Sequence, residues 1–172
     1  MRLKDKIVVI TGGTDGIGRG CAIAAAREGA NVVVTGRNQD RGRTTVDIVA
    51  QLGGTIRYIE QDVTDESAWE SLFKQVIDGV GSPDVLVNNA GDCILKPIVE
   101  YPVETLRYML QMNIEACFMG TQRALKTMSE KGGGSIINMS SVAGLKGGPG
   151  GTAYGASKAA MTMFTKAAAL EG

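Results

Sequence analysis

Two side chains near the carboxyl end of the sequence have the types and the spacing needed for proton transfer. Tyr154 and Lys158 are four residues apart, so on a helix they share a face and the ammonium lies beside the phenol. A free tyrosine titrates at about pH 10, and an adjacent cation stabilises its phenolate. The pair predicts a general acid and base, Tyr154, activated by Lys158. Taken alone, the same spacing is also typical of an exposed helix face.

Two further polar side chains are candidates for the same chemistry. The hydroxyl of Ser141 can hydrogen-bond a substrate oxygen, and Asn113 can hold a water that relays protons toward Lys158. The sequence contains no histidine, which excludes Ser-His-Asp triads and histidine-ligated metal sites. We therefore expect no metal, and a catalytic set of Asn113, Ser141, Tyr154 and Lys158.

A glycine-rich turn lies where the first predicted strand leads into the first predicted helix. Glycines let the backbone approach a pyrophosphate closely, and the free N–H groups of a helix N-terminus stabilise the anion. An ordinary tight turn is the alternative. A phosphate-binding NTPase loop is not indicated, because Arg19 and Gly20 stand where that loop has Lys and Ser or Thr. The predicted cofactor-binding residues of this turn are Gly12, Thr14, Asp15, Gly16, Ile17 and Gly18.

The end of the second predicted strand, Gly36 and Arg37, bears on the choice of dinucleotide. A guanidinium there pairs with the 2′-phosphate of NADP(H), whereas a carboxylate accepts hydrogen bonds from the ribose hydroxyls of NAD(H). Arg37 therefore favours NADP(H), although it is also interpretable as a solvated surface charge. Asp15 favours NAD(H), because its negative charge would face the same region. We expect NADP(H), with NAD(H) as the alternative.

A third turn, from Asn88 to Gly91, follows the fourth predicted strand. The two asparagines, Asn88 and Asn89, can satisfy neighbouring backbone groups where a buried strand ends. Ala90 and Gly91 leave room for a flat ring or a ribose. An ordinary turn is again the alternative interpretation.

The elements that must position these residues are predicted by the pattern of apolar side chains. Short runs rich in Val and Ile alternate with segments of helical periodicity, which indicates βα units around a parallel sheet with strands buried on both faces. The predicted strands are Lys6–Thr11, Asn31–Thr35, Thr55–Glu60, Val85–Asn88 and Ser135–Met139.

Three helices and one loop follow from the same pattern. The first helix is predicted over Ile17–Glu28 and ends at Gly29. A second begins at Thr64 to Glu66, and the longest is predicted over Val103–Ser129. The glycine-rich segment Gly144–Gly151 is predicted as a mobile loop before the last helix. The inner stripe of the second of these helices is predicted to be Ala68, Leu72, Phe73, Val76 and Ile77.

Composition bounds the class of protein. The 172 residues fit one domain, residues 1–172. The 18 basic and 18 acidic side chains give no basic excess for nucleic-acid binding. No apolar stretch reaches the roughly 20 residues that span a bilayer, and no signal peptide is predicted. The cysteines Cys21, Cys93 and Cys117 fit neither a disulfide framework nor a metal site, so we expect buried free thiols in a cytoplasmic protein.

Taken in order along the chain, these motifs resemble those of the short-chain dehydrogenase/reductase family. The matching elements are the glycine turn, Asp62 and Val63 after the third strand, the Asn-Asn-Ala-Gly turn, Asn113, Ser141, and Tyr154 with Lys158. The family's serine lies 13 residues before its tyrosine, and 154 − 141 = 13 selects Ser141 over Ser140.

The resemblance implies a site and an activity. It implies an α/β fold of the Rossmann type with a doubly wound parallel sheet. Asp62 and Val63 would lie near the adenine, the segment from Asn89 through Ala90 to Gly91 along the cofactor, and Tyr154 and Lys158 at the nicotinamide ribose. The implied reaction is hydride transfer between NADP(H) and a small-molecule carbonyl or secondary alcohol. A homodimer or homotetramer is implied, with the long helix and the last helix at its interface.

The resemblance also predicts what is absent. Family members usually continue beyond the helix that carries the tyrosine and lysine, so the chain is expected to lack the usual C-terminal segment and to leave its fifth strand at an edge. A non-catalytic dinucleotide-binding or assembly module is therefore the alternative function. A methyl-donor-binding transferase is a further alternative, but it leaves the Tyr154 and Lys158 pair unexplained.

Overall fold

Five parallel strands form one sheet at the centre of the protein. The structure, a computed structural model, describes residues 1–172. The sheet order is β3-β2-β1-β4-β5, and every neighbouring pair is parallel. The predicted strands are confirmed with ends shifted by one residue or none. The strands are β1 (Ile7–Ile10), β2 (Asn31–Gly36), β3 (Thr55–Glu60), β4 (Val85–Asn88) and β5 (Ser135–Asn138).

Helices cover both faces of this sheet, which confirms the predicted doubly wound α/β fold. Two short 3₁₀ turns lie at Ile98–Glu100 and Val142–Gly144, and we call the second the serine turn because Ser141 precedes it. The helices are α1 (Gly16–Arg27), α2 (Gln39–Gln51), α3 (Glu66–Val80), α4 (Val103–Leu110), α5 (Ala116–Glu130) and α6 (Thr152–Ala168).

The long helix predicted over Val103–Ser129 is interrupted. A π turn, Gln111–Glu115, separates α4 from α5, and its flanking residues keep right-handed helical backbone angles. One carbonyl-to-amide step there spans five residues instead of four. Because the π turn adds only one residue to a single helical turn, the apolar pattern alone did not reveal it. The turn buries Met112 and Asn113.

Two apolar clusters hold the helices to the sheet. Val9, Val33 and Leu86 pack on the side of α3 and α5, whereas Val8 and Val32 pack on the side of α1 and α2. This alternation follows from the two-residue period of a strand. The predicted burial of both faces is wrong for β3 and β5, which lie at the edges of the sheet and are partly exposed.

The inner stripe of α3 differs from its prediction at two positions. Trp69 is buried and is the largest fully buried side chain, whereas Ile77 is 44% exposed. Trp69, Leu72, Phe73 and Val76 follow the spacing of three and four residues that keeps one helix face inward. Ile77 lies one position beyond that face.

The cysteines are free thiols, but only one of them is buried as predicted. Cys117 is buried, Cys21 is half-buried and Cys93 is exposed, because Cys93 lies in the loop that follows β4. Burial raises the pKa of the Cys117 thiol to about 11.

None of the helices combines the length and the hydropathy that a bilayer span requires.

Candidate active site

The glycine turn between β1 and α1 is too tightly packed for side chains. Gly12 has a φ of 62°, and a Cβ there would lie 3.0 Å from the Cα of Ala90. A Cβ on Gly18 would overlap the carbonyl oxygen of Gly12. The Nδ2 group of Asn89 donates hydrogen bonds to the carbonyl oxygens of Thr11 at 2.8 Å and of Gly12 at 3.2 Å. These two hydrogen bonds from Asn89 therefore fix the backbone of the glycine turn relative to the end of β4.

The start of α1 has two unpaired backbone amides, one on the exposed Ile17 and one on the buried Gly18. The Asp15 carboxylate accepts a hydrogen bond from the Gly16 amide at 2.8 Å and so caps the helix. The amides of Ile17 and Gly18 donate no hydrogen bond within the protein. No atom outside the turn lies within 4 Å of a Cβ built on Gly16. Free N–H groups at a helix N-terminus with open space before them fit a pyrophosphate.

A cavity of about 270 Å³ lies at the carboxyl ends of the central strands. In an open parallel sheet this edge is where nucleotides bind. Of the predicted residues, the cavity is lined by Gly12, Thr14, Arg37, Asp62, Val63, Ala90 and Gly91. Gly36, which the sequence placed beside Arg37, also lines the cavity, and the structure adds Asn38, Arg41, Gln61 and Met112. The side-chain amide of Gln61 is buried and bonds no protein group, which is consistent with a polar ligand in this cavity. A larger cavity, about 540 Å³ between α5 and α6, contains none of the predicted residues.

Three arginines pair with carboxylates at or near the cavity, and two of them, Arg37 and Arg41, line it. Arg37 lies 4.0 Å from the carboxylate of Asp62, whereas Arg41 and Arg19 lie 3.1 Å and 3.7 Å from that of Asp15. The charge of Asp15 is therefore paired within the protein. Arg41 was missed by the sequence analysis, although it lies four residues after Arg37.

Asp62 is held ionised at the end of β3. The Thr64 amide donates to its carboxylate at 2.9 Å and the Thr64 hydroxyl at 2.7 Å. The hydrogen bond from the Thr64 amide, with smaller contributions from its hydroxyl and from Arg37, holds the pKa of Asp62 below its usual value despite partial burial. The turn directs Val63 and Asp62 toward the cavity.

Tyr154 and Lys158 lie in the first two turns of α6. The Lys158 Nζ atom is 5.9 Å from the centre of the Tyr154 ring and donates a hydrogen bond to the carbonyl oxygen of Met139 at 2.7 Å. Lys158 is 5% exposed. Burial lowers its pKa below the usual value, and the neighbouring Cys117 and Cys93 oppose the shift.

The two adjacent serines after β5 have different surroundings. Ser140 hydrogen-bonds the carbonyl oxygen of Lys158 at 3.2 Å and the hydroxyl of Thr162 at 2.8 Å, so it is turned toward α6. The Ser141 hydroxyl accepts from the Ala143 amide at 3.1 Å. Its own hydrogen remains free to donate, which supports Ser141 as the residue that faces a substrate oxygen.

The serine turn packs closely against α6. A Cβ on Gly144 would lie 2.7 Å from the backbone carbon of Lys158, and a Cβ on Gly155 would lie 2.9 Å from the carbonyl oxygen of Ala143. Two glycines on opposite sides of one contact thus let Ser141 approach the helix that carries Tyr154.

Asn113, in the π turn, is fully buried, and its side-chain amide is hydrogen-bonded at both the oxygen and the nitrogen. Its Oδ1 atom accepts from the Asp92 amide at 2.9 Å, and its Nδ2 atom donates to the Asp92 carbonyl at 2.9 Å and to the Ser157 hydroxyl at 3.0 Å. Both amide hydrogens are used. The Asn113 side chain therefore fixes the loop after Gly91 through Asp92.

Gly91 connects the cavity with the Tyr154 and Lys158 pair. It lines the cavity, and a Cβ there would lie 2.8 Å from Asn113 Oδ1 and 3.6 Å from Lys158 Nζ. A group seated along Gly91 would reach Lys158. Seven of the predicted residues line the cavity, whereas Asp15, Gly16, Ile17, Gly18 and Asn89 belong to or contact the glycine turn and do not line it. The four predicted catalytic residues lie on the π turn, the serine turn and α6. No three acidic or cysteine side chains lie close enough to hold a metal ion.

Comparison with known proteins agrees with this geometry. The sequence model of the short chain dehydrogenase family matches residues 6–172. The chain is 41% identical over 173 residues to the NADP-dependent (R)-specific alcohol dehydrogenase of Lentilactobacillus kefiri, covering 99% of this chain and 68% of that protein. It is 40% identical over 171 residues to the 3beta-hydroxysteroid dehydrogenase of Mediterraneibacter gnavus, covering 99% of this chain and 62% of that protein.

Solved structures give the same result. The crystal structure of a short chain dehydrogenase from Mycobacterium smegmatis matches the fold with a TM-score of 0.95 at 34% identity, covering 99% of this chain and 72% of that one. The chain thus spans about two thirds of the length of the relatives it matches. The family match, the sheet order and the site together show that the chain belongs to the short-chain dehydrogenase/reductase family of oxidoreductases.

Proposed function

We propose that the protein interconverts a secondary alcohol and its ketone with NADP(H), and that Tyr154 transfers the proton. The observation that carries this proposal is the position of Gly91. The same glycine lines the nucleotide-sized cavity and lies beside the buried ammonium of Lys158, one helical turn from Tyr154. A dinucleotide along this edge of the sheet would bring its reactive end to an acid–base pair.

The residues present fit such a cofactor. The unpaired amides at the start of α1 would hold the pyrophosphate. Asp62 and Val63 would contact the adenine, and Lys158 the hydroxyls of the nicotinamide ribose. When bound, NADP(H) supplies the hydride that is exchanged with the substrate carbon.

The protein's own side chains supply the proton transfer. The Tyr154 hydroxyl gives a proton to the carbonyl oxygen during reduction, and the Tyr154 phenolate takes a proton from the alcohol during oxidation. The Lys158 ammonium stabilises the phenolate that remains after the proton has left. Ser141 donates its free hydroxyl hydrogen to the substrate oxygen and so orients the reacting carbon.

Two guanidinium groups support NADP(H) over NAD(H). Arg37 and Arg41 both line the cavity, and a 2′-phosphate between them gains charge-assisted hydrogen bonds. Their present partners, Asp62 and Asp15, are carboxylates that the phosphate would replace or compete with. Arg41 adds to the preference that Arg37 predicts.

Apolar side chains around the two loops next to the pair support an uncharged, apolar substrate. The Lys96 amide donates to the Gly150 carbonyl at 3.0 Å, so the loop after Gly91 meets the loop before α6. Leu95 is 60% exposed and Leu145 is 80% exposed on these loops. Two of the relatives are named for an alcohol and a hydroxysteroid.

We also propose that residues 1–172 form one domain that associates through α5 and α6. Phe118 of α5 and Phe164 of α6 pack at a ring separation of 5.7 Å. Phe118 is 50% exposed, and Met163, which precedes Phe164, is 65% exposed. Burying such a patch favours a homodimer or homotetramer. Light scattering that shows a monomer at micromolar concentration would remove this proposal.

The test of the proposed function uses the purified chain, NADPH and a panel of apolar ketones. Oxidation of NADPH is followed by its absorbance, and NADPH binding by its fluorescence. Ketone-dependent oxidation is expected, with Tyr154→Phe inactive but still binding NADPH. Binding without turnover on any ketone or alcohol would favour the non-catalytic dinucleotide-binding module, and absence of binding would overturn both functions.

A further inference from the structure

Ser157 is a buried hydroxyl that the proposed reaction does not use. It is fully buried, with 0% exposure, in the segment of α6 between Tyr154 and Lys158. Its hydroxyl donates to the carbonyl oxygen of Tyr154 at 2.7 Å and accepts from Nδ2 of Asn113 at 3.0 Å. Ser157 is therefore the direct hydrogen-bonded connection between Asn113 in the π turn and the backbone of Tyr154.

The chain of hydrogen bonds continues from Asn113 to the cofactor cavity. Asn113 bonds both the amide and the carbonyl of Asp92, and Asp92 directly follows Gly91, which lines the cavity. The Asp92 carboxylate in turn accepts from the Tyr108 hydroxyl of α4 at 2.9 Å. Three segments, α6, the π turn and the loop after β4, are thus fixed relative to one another through Asn113 and Ser157.

We propose that Ser157 is a positioning residue that fixes the Tyr154 phenol relative to the cofactor cavity by hydrogen-bonding Asn113. This inference rests on the proposed function, because it concerns the alignment of Tyr154 with a reacting group. Without the hydroxyl, an amide hydrogen of Asn113 has no acceptor in a site that water does not reach, and such a donor is unfavourable. Asn113 or the first turn of α6 must then shift. A displacement of about 1 Å in an active site can lower the rate by about 100-fold.

A merely structural role for Ser157 is testable because α6 contains a matched residue. Thr165 donates to the carbonyl oxygen of Met161 at 2.8 Å and accepts from Nδ2 of Asn138 at 2.9 Å. It therefore makes the same two kinds of hydrogen bond as Ser157, to its own helix and to an asparagine amide, but at a position about three turns away from Tyr154. Thr165→Ala reports what the loss of such a hydroxyl does to stability alone.

The kinetic arm compares Ser157→Ala, Ser157→Thr and Thr165→Ala in the full chain, each first checked for folding by thermal melting. Ser157→Ala is expected to lower kcat by about 10-fold or more with the KM for NADPH nearly unchanged. Ser157→Thr retains the hydroxyl and is expected to recover most of kcat. Thr165→Ala is expected to lower the melting temperature by less than Ser157→Ala, because Thr165 is only half-buried, and to keep kcat. Equal kcat in Ser157→Ala and wild type, or equal losses in Ser157→Ala and Thr165→Ala, would overturn the proposal.

A second arm does not depend on turnover. Hydrogen exchange of the Asp92 amide, which bonds Asn113, is measured in the same variants by NMR. The proposal predicts exchange about 10-fold faster in Ser157→Ala than in wild type, and no change in Thr165→Ala. An unchanged Asp92 amide in Ser157→Ala would overturn the positioning role. If wild type turns over no substrate, the proposed function fails, and the exchange rates still decide whether Ser157 holds the loop after β4 through Asn113.

Discussion

The ammonium of Lys158 lies 5.9 Å from the centre of the Tyr154 ring, in a place where only 5% of the lysine is exposed. Burial disfavours a charge, and the pKa of Lys158 is accordingly lowered. The fold nevertheless gives this ammonium only one strong hydrogen-bond acceptor, the carbonyl oxygen of Met139. Because burying the Lys158 ammonium is unfavourable for folding, we infer that the protein needs this charge for its function.

Lys158→Met is expected to lower activity strongly. It also removes a buried charge, which changes how stability depends on pH. The loss of phenolate stabilisation should lower kcat/KM by about 100-fold or more. Because the folded pKa of Lys158 lies below the unfolded one, the unfolded chain binds more protons between the two values, and wild-type stability rises with pH in that window. Urea unfolding from pH 7 to about pH 10 should therefore show wild type gaining stability relative to Lys158→Met. Lys166→Met, an exposed change on the same helix, is the control and should show no such gain.

Asp15→Asn is expected to tighten NADPH binding. The change removes the carboxylate that now pairs with Arg41 and leaves that guanidinium free for the 2′-phosphate. Both side chains are more than half exposed, so the gain should be modest, about 3-fold to 5-fold in Kd. NADH, which lacks the phosphate, should gain little.

Asp40→Asn is the matched control for Asp15→Asn. Asp40 is an exposed carboxylate on α2 that pairs with Arg43 at 3.9 Å and does not line the cavity. The two variants have the same change in net charge. Equal effects of both on NADPH binding would show that only long-range charge is involved, contrary to the proposed role of Arg41.

Two glycine-to-alanine changes in the same helix should have opposite effects on stability. Gly18→Ala places a methyl group against the Gly12 carbonyl, so we expect a loss on the order of 2 kcal/mol in unfolding free energy and weaker NADPH binding. A Cβ on Gly20 meets no atom within 4 Å. Gly20→Ala should therefore stabilise the helix by about 0.5 to 1 kcal/mol and leave binding unchanged. Chemical denaturation of both variants decides the point.

Asp84 should contribute to stability at neutral pH and lose that contribution in acid. It accepts hydrogen bonds from Lys131 at 2.8 Å, from the Ile7 amide at 2.8 Å and from Lys6 at 3.2 Å. Burial alone raises the pKa of this carboxyl, but these three donors outweigh it and the net shift is downward. A lowered folded pKa means that the contribution is complete above the unfolded value, about 3.9, and disappears as pH falls through the folded one.

The variant Asp84→Asn tests this contribution. We expect a loss of about 1 to 3 kcal/mol in unfolding free energy at pH 7, and a smaller difference from wild type as the pH falls below about 4. Asp78→Asn, which removes an exposed carboxylate paired only with Lys74 on the same helix, should change stability little. A difference for Asp84→Asn that stays constant from pH 7 to the acid transition would contradict the assignment.

The strands and the order of the motifs were predictable from the sequence because both depend on local signals. Runs of Val and Ile such as Val32 to Val34 need burial on two faces, and glycines such as Gly12 and Gly18 mark close backbone contacts. A sheet that places the carboxyl ends of its strands at one edge then brings the motifs together. The family match follows from these same residues.

What the sequence left undetermined depends on contacts between distant segments. The π turn that directs Asn113 toward Asp92 adds only one residue to an otherwise helical segment, so periodicity did not distinguish it from an α-helix. Arg41 was indistinguishable from a surface arginine until Asp15 was placed beside it. The role of Ser157 depends on Asn113, which is 44 residues earlier in the chain.

The central claim is that the Tyr154 hydroxyl transfers a proton at a site where NADP(H) is bound next to Lys158. The most direct measurement compares wild type and Tyr154→Phe for kcat with an apolar ketone and for NADPH affinity by fluorescence titration. The account predicts that kcat falls by about 100-fold to 10,000-fold while the Kd for NADPH changes by less than about 3-fold. A Tyr154→Phe variant that turns over the ketone at the wild-type rate would contradict it.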